Sequence, residues 1–267
     1  MPAQHFIDLT FEQVKQLDPA TVAVLPLGAI EQHGPHLPVS TDYLIASSVA
    51  EAAAALISEN AVEGADGVHA VLLPGLAYTK SDEHHWAPGT IWVSWDTLMN
   101  YLIDIGRSLA NTPIKKLMFV NGHGGNSALG QVVCRELHRR FGLETFFAHS
   151  MAPVDQSLAN ASGTTAPHEL GLGIHGGHTE TAVVMHLRPE LVNMDLAERQ
   201  VPEHLTEYQH VGFGKRVSFG WCSDDFETNG AIGDPTGATA EAGKLLFEAA
   251  AVSNAEAIVE VAQFRFR

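Results

Sequence analysis

The sequence predicts an α/β fold in which helices pack on a mostly parallel sheet. Strand-like and helix-like segments alternate along the chain in the manner of βαβ units. The run TVAVLPL at residues 21–27 is apolar and β-branched, which is typical of a strand buried on both faces. Candidate metal ligands follow that run, at the edge where open α/β sheets bind ligands. With 267 residues, 45% of them hydrophobic, the chain can form one domain over residues 1–267.

The individual elements are predicted from local patterns. Thr10 and Gln13 resemble a capping box that opens a short first helix. Apolar residues at helical spacing predict further helices at residues 43–59, 95–110, 127–141, 179–186 and 239–264. Further strands are predicted at residues 69–73, 116–120 and 143–148. A polar loop at residues 77–90 and a loose Gly-, Pro- and Ser-rich stretch at residues 152–177 connect them.

Composition narrows the class of partner. The chain has 15 Lys and Arg against 31 Asp and Glu, and its net charge of −16 repels phosphate backbones and anionic lipids. We therefore expect a small-molecule substrate and neither nucleic acid nor membrane as a partner. Two cysteines without C-x-x-C spacing fit a reducing compartment. No signal peptide and no membrane span is predicted, so we expect a cytoplasmic protein.

The segment EQHGPH after the first strand supplies the first candidate ligands. Glu31 and His33 are two residues apart, so an extended chain directs both side chains to one pocket. Asp42 follows nine residues after His33 and can return to the same place. Asp42 has an alternative role as the N-cap of the helix that follows it.

Two glycine-rich turns supply further candidates. The turn NGHGGN places His123 directly after the strand at residues 116–120. The turn HGGHTE offers His175, His178 and Glu180, enough for a ligand and a general acid or base together. Glu180 could instead serve only to complement the positive end of the next helix.

The loop SDEHHWAPGT at residues 81–90 is polar, aromatic and long for a connection, which is typical of a substrate-contacting loop or an oligomer contact. Glu83 and His84 in this loop, together with Asn126, are candidates for substrate binding. His84 and His85 have the alternative of being solvated loop residues.

The number and type of ligands predict two metal ions. Five or six His and carboxylate ligands are too many for one tetrahedral zinc, and none is a cysteine. Such a set suits two divalent ions that share a carboxylate, with Zn²⁺ or Mn²⁺ favoured and Fe²⁺ a further candidate. The candidate metal ligands are Glu31, His33, Asp42, His123, His178 and Glu180.

Four motifs in order resemble the creatininase family of metal-dependent amidohydrolases: PLGAIEQHGPHLPVSTD, EHHWAPGTI, FVNGHGGNS and HGGHTETA, within residues 21–190. The resemblance implies a three-layer α/β/α fold, a two-metal centre, hydrolysis of cyclic or formyl amides, and a homo-oligomer that is often a hexamer. By position, Glu31, His33, Asp42 and His123 match the family's metal ligands, with Asp42 as the bridge. His175 matches its catalytic histidine.

The chain also departs from the family's pattern. Creatininases proper have a second carboxylate ligand two residues after the position of His123, where this chain has Gly125. The last ligand is therefore Glu180 or His178, and Glu180 is favoured because a carboxylate keeps the charge of the site. The tryptophans that cover creatinine in the family have no counterpart between residues 152 and 174. This argues for another substrate, as in the related pyrimidine formamide deformylases or hydrolases of other small cyclic compounds.

The predicted reaction is metal-assisted hydrolysis of a C–N bond in a small cyclic amide or formamide. A hydroxide bridging the two ions attacks the carbonyl, and His175 hands a proton to the leaving nitrogen, with Glu180 as the other catalytic candidate. A lactone or cyclic ketone is an alternative substrate. The rival classes are a dinuclear phosphoesterase, whose G-D-x-x-D and G-N-H-[DE] motifs are absent, and a non-catalytic metal or small-ligand binding protein.

Overall fold

The computed structural model describes residues 3–151, 169–226 and 228–266. Its sheet has the strand order β2-β1-β3-β4, and all paired strands are parallel. The strands are β1 (Val22–Leu27), β2 (Ala70–Leu72), β3 (Lys116–Asn121) and β4 (Glu144–His149). The predicted parallel α/β fold is therefore confirmed.

Helices flank the sheet on both sides. They are α1 (Phe11–Lys15), α2 (Thr41–Ser58), α3 (Trp95–Leu109), α4 (Ser127–Phe141), α5 (His178–Leu187) and α6 (Ala240–Gln263). The predicted strands and helices end within two residues of these bounds, and the capping box of Thr10 and Gln13 is present. Most of the loose stretch predicted at residues 152–177, including His168, lies outside the described residues.

The start of α2 decides between the two roles of Asp42. Ser40 occupies the N-cap position, and Asp42 lies inside the first turn of the helix. The alternative of Asp42 as the N-cap is therefore wrong. Its side chain is buried, which leaves the carboxylate available to groups at the end of β1.

Two hydrophobic clusters make this a three-layer α/β/α sandwich. Because successive strand residues point to opposite faces, Val22 and Val24 pack toward α2 and α6, whereas Ala23 and Leu25 pack toward α3 and α4. All six residues of β1 are buried, as its apolar run predicts. A third cluster joins α2, α5 and α6, so α5 is anchored beside the ligand-bearing end of α2.

The strand order creates a crevice at one edge of the sheet. The chain leaves β1 for β2 on one side and later returns through β3 on the other side. The connections after β1 and β3 therefore diverge at the carboxyl ends of these neighbouring strands, which is the switch point where α/β sheets bind ligands. Within the described residues, none of the helices has the length and apolar character of a membrane span.

Candidate metal centre

Polar side chains from separate elements converge at the β1/β3 switch point. Glu31 and His33 follow β1, Asp42 lies in the first turn of α2, and His123 follows β3. All four side chains are buried. Glu180, from the first turn of α5, completes the set. The carboxylates of this buried cluster require a positively charged partner, because burying unpaired ionised groups is costly.

Asp42 is shared by two groups of ligands that could each hold a metal ion. One group is Glu31, Asp42 and His123, and the other is His33, Asp42 and Glu180. Asp42 Oδ2 lies 3.0 Å from His123 Nδ1, and Asp42 Oδ1 lies 3.0 Å from His33 Nε2. Each carboxylate oxygen thus faces one imidazole, the arrangement that a bridging ligand requires.

Backbone and side-chain contacts orient both imidazoles. His33 Nδ1 donates a hydrogen bond to the carbonyl oxygen of Glu31 at 3.2 Å, which leaves Nε2 to face Asp42. His123 Nε2 lies 3.3 Å from Glu83 Oε1, so the proton is favoured there and Nδ1 faces Glu31 and Asp42. Metal-bound histidines typically have such partners on the second ring nitrogen.

Glu31 supplies a direct test of whether these residues fit a metal. Ser81 Oγ donates to Glu31 Oε2, whereas the buried Oε1 has no hydrogen-bond partner among the described residues. Glu31 Oε1 lies 3.7 Å from His33 Nε2 and 3.5 Å from His175 Nδ1. A buried carboxylate oxygen left free among imidazole nitrogens fits a site for a divalent ion.

The electrostatics of the cluster favour a cation. Burial alone would lower the pKa of His33, but Asp42, Glu180 and Glu31 raise it to about 10. Burial likewise opposes protonation of His123, yet Glu31 and Asp42 raise its pKa well above the ordinary value. In the metal-free protein these imidazoles therefore carry protons at neutral pH, in the place where metal ions would bind.

The raised pKa values of His33 and His123 predict a metal affinity that depends on pH. Because metal ions require unprotonated imidazole, binding near neutral pH should release protons from His33 and His123. The apparent zinc affinity should rise with pH by about tenfold per unit for each proton displaced, up to the His33 pKa of about 10. Competition titrations with a chelator over the neutral range measure this slope. An affinity independent of pH would contradict it.

The structure separates the two candidates for the last ligand. Glu180 Oε1 lies 3.9 Å from His33 Nε2, and Glu180 Oε2 accepts a hydrogen bond from the Gly176 backbone N–H at 2.6 Å. His178 belongs to none of the candidate ligand groups found in the described part of the chain. It lines a cavity of about 220 Å³ that Glu180 lines as well. The geometry therefore favours Glu180.

Glu83 occupies the space that a side chain at residue 125 would need. A Cβ built on Gly125 would lie 1.9 Å from Glu83 Oε1 and 2.4 Å from His123 Nε2. Lys80 Nζ holds the other oxygen of Glu83 at 2.7 Å. Glu83 thus contacts His123 Nε2 and also lines the cavity that opens from the centre, so its place at the substrate stays a prediction.

Substitution of Gly125 tests this arrangement. Gly125→Ala should displace Glu83 from His123 and weaken zinc binding or activity by about 10- to 100-fold, the usual cost of losing a group that orients a ligand. Gly124→Ala is the matched control, because a Cβ there has no atom within 4 Å. Equal metal affinity in both variants, measured by chelator competition, would contradict a role for Glu83.

Gln32 positions two further histidines at the centre. Its Nε2 donates hydrogen bonds to His84 Nδ1 at 2.9 Å and to the carbonyl oxygen of Gly230 at 3.0 Å. The backbone carbonyl oxygen of Gln32 accepts a hydrogen bond from His175 Nε2. The His175 ring lies between those of His33 and His84, with centroids 4.1 and 4.0 Å away. His175 Nδ1 consequently faces Glu31 and the cavity.

The remaining candidate, Asn126, has a different environment. Its buried side chain donates to Asn121 Oδ1, Thr79 Oγ1 and the carbonyl oxygen of Gly28 at 3.2–3.3 Å. These contacts join the ends of β1 and β3. Sequence reasoning missed Gln32, which stands between Glu31 and His33, and also Ser81 and Lys80, which precede Glu83 by two and three residues.

A cavity of about 780 Å³ opens from the centre. One side is lined by Glu31, Asp42, His123, His175 and Glu180. Phe213, Phe219 and Trp221 also line the cavity and form an aromatic wall. The Phe213 ring lies 5.4 Å from Phe219 and 5.5 Å from Trp221, centroid to centroid. Trp221 lies in a later segment than residues 152–174, where the sequence has no match to the family's tryptophans.

Comparison with known proteins identifies the family. The family model for creatininase, described as creatinine amidohydrolase, matches residues 7–258. The chain belongs to the creatininase family. A mycofactocin precursor peptide peptidase from Mycobacterium tuberculosis strain H37Rv is 34% identical over 244 residues, covering 90% of this chain and 84% of the relative. A creatinine amidohydrolase from Pseudomonas putida is 30% identical over 206 residues, covering 70% of this chain and 72% of that relative.

Solved creatininase-family structures share the fold. A candidate creatinine amidohydrolase from Bacteroides fragilis NCTC 9343 has a TM-score of 0.75 at 25% identity, covering 99% of this chain and 98% of that one. At 24% identity the solved structures include a zinc–zinc form and a manganese form of creatininase. As a member of this family with candidate metal-binding groups, the chain is a metal-dependent hydrolase.

Proposed function

We propose that this creatininase-family protein hydrolyses an amide C–N bond at a centre of two divalent ions. The observation that carries the proposal is Asp42, whose two oxygens each lie 3.0 Å from a different imidazole. A carboxylate shared in this way, in a buried cluster open to a cavity, suits two ions and one reacting group between them.

The donor set indicates which residues would hold each ion. Glu31, Asp42 and His123 would bind the first, and His33, Asp42 and Glu180 the second. Mixed imidazole and carboxylate ligands suit Zn²⁺ or Mn²⁺, with Fe²⁺ a further candidate. When bound, such ions lower the pKa of a shared water toward neutrality and polarise a carbonyl.

His175 is the proton carrier in this proposal. Because Nε2 donates to the carbonyl oxygen of Gln32, Nδ1 is the nitrogen that faces the cavity. Burial, together with the neighbouring His33, lowers the pKa of His175 well below its usual range, so the resting ring is neutral and, once it takes a proton from the attacking water, becomes a strong acid. It then returns that proton to the leaving nitrogen, and the backbone contact keeps the ring in place for both transfers.

The proposed substrate is a small cyclic amide or a formamide. A second candidate, a short peptide, is favoured by the cavity, because about 780 Å³ is within the range that holds drug-sized ligands and exceeds the needs of one small ring. The relative of 34% identity is itself named a peptide peptidase. The aromatic wall would pack against the part of the substrate that lies away from the cleaved bond.

A substrate panel tests the proposal. The zinc- or manganese-loaded protein is incubated with cyclic amides, formamides, lactones, short peptides and phosphate esters, beside a metal-stripped sample. We expect metal-dependent release of an amine or carboxylate from an amide. Turnover of phosphate esters alone would support the dinuclear phosphoesterase. Stabilisation by metal without any turnover would support the binding protein.

We also propose that the protein is a homo-oligomer. The segment from Ile91 to Trp95, beside the substrate loop, exposes 55% of Ile91, 42% of Trp92 and 61% of Trp95. Adjacent large apolar side chains left in water are typical of interfaces, and symmetric self-association is the commonest way to cover them.

Light scattering measures this assembly. We expect the parent protein to have a mass that is a multiple of the 28.7 kDa chain. Trp95→Glu should reduce that mass, whereas Phe11→Glu, at a residue 72% exposed on α1, should not. A parent protein with the mass of one chain would contradict the proposal.

A further inference from the structure

A second group of metal-ligand side chains lies outside the centre, on the surface. Ligand atoms of His85, Cys222 and Asp224 lie within 4.8 Å of one another. Cys222 is half-buried, and the other two residues are exposed. None of the three is a candidate ligand of the Asp42 centre, so this group is a separate site.

The imidazole of His85 is oriented for binding. Its Nδ1 donates a hydrogen bond to the carbonyl oxygen of Asp82 at 3.1 Å. The remaining nitrogen, Nε2, therefore keeps its lone pair. A backbone carbonyl that receives the second N–H is the usual support of a metal-binding histidine.

Hydrogen bonds around the group hold its two segments together. Trp86 Nε1 donates to Ser223 Oγ at 2.7 Å, and Ser223 Oγ donates to the carbonyl oxygen of Glu83 at 3.1 Å. Ser223 is fully buried. The Cys222 backbone N–H donates to Asp225 Oδ2 at 2.8 Å. The three side chains are thus already assembled before any ion binds.

The charge around Cys222 also favours a cation. The carboxylates of Asp224, Asp225, Asp82 and Glu83 place negative charge around the Cys222 thiol. A divalent ion would offset this negative field and would stabilise the thiolate, which is the form that coordinates metal.

We propose that His85, Cys222 and Asp224 bind one zinc ion, with water in the fourth position. A mixed imidazole, thiolate and carboxylate set selects zinc over magnesium, calcium or manganese, because thiolate is a soft ligand. The ion would join the loop of Glu83 and His84 to the segment of the aromatic wall, and so hold two sides of the cavity together. This site is independent of the proposed reaction.

Cobalt substitution tests the proposal without an activity assay. Co²⁺ bound to a thiolate gives an intense sulfur-to-cobalt charge-transfer band, and the Asp42 centre contains no cysteine. The chain has only Cys134 and Cys222, so the band can arise at two positions. We expect it in the Co²⁺-loaded parent protein and in Cys134→Ser, and its complete loss in Cys222→Ser.

Cys134→Ser is the matched control, because burial raises the pKa of that thiol to about 11 and keeps it protonated. His85→Ala keeps both cysteines and should weaken Co²⁺ binding at this site by at least about tenfold. A parent protein without the band, or a band that persists in Cys222→Ser, would overturn the proposal.

Discussion

Asp42→Ala is expected to remove both metal ions of the centre and to reduce amide hydrolysis by on the order of a thousandfold or more. Asp42 lies 3.0 Å from both His33 Nε2 and His123 Nδ1, and it is the one residue common to both ligand groups. Without its carboxylate neither group keeps three ligands. Metal content by mass spectrometry should fall by two ions per chain relative to the parent protein.

Two further variants keep this prediction interpretable. Asp42→Asn preserves the shape of the side chain but not its charge, so it should lose metal while remaining folded. Glu51→Ala, on the same helix, removes only a half-exposed contact to His5 and should retain metal and activity. If Asp42→Asn retained both ions with full affinity, Asp42 would not be the shared ligand.

His175→Ala is expected to show the opposite pattern, with metal retained and turnover lost. General acid–base catalysis contributes about a hundredfold to ten-thousandfold, so kcat should fall by that factor. The Michaelis constant should change little, because the rest of the cavity wall remains. Steady-state kinetics and metal content on the same preparation measure the two effects together.

The control is His186→Ala, near the end of α5, whose ring packs on Phe247 at 5.7 Å and is remote from the centre. Full activity in His175→Ala would contradict the role of His175. Loss of an ion would contradict it in another way, since Glu31, His33 and His175 also form a group that could hold a metal. In that case His175 would be a ligand.

Local sequence patterns were sufficient to predict the strands and helices of the fold. The apolar run of β1 predicted a strand buried on both faces, and helical spacing located α4 to the residue. Glycine turns after strands correctly marked the edge of the sheet where His123 lies. These signals are local, so a single sequence shows them.

Other parts of the site depend on contacts between distant segments. The sequence allows Asp42 to be the N-cap of α2, and only the position at which the helix begins, with Ser40 as its N-cap, excludes that role. Glu83 lies against His123 and Gly125, which follow it by 40 and 42 residues, and no spacing in the sequence indicates that contact. The aromatic wall comes from a segment with no motif, because packing of the whole chain brings it over the cavity.

The most direct test of the two-metal centre is a crystal structure of the zinc- or manganese-loaded protein with the ions located by anomalous scattering. We predict two ions at the β1/β3 edge, both contacted by Asp42, the second also held by His33 and Glu180. A single ion there, or a second ion held by His178 in place of Glu180, would contradict this assignment.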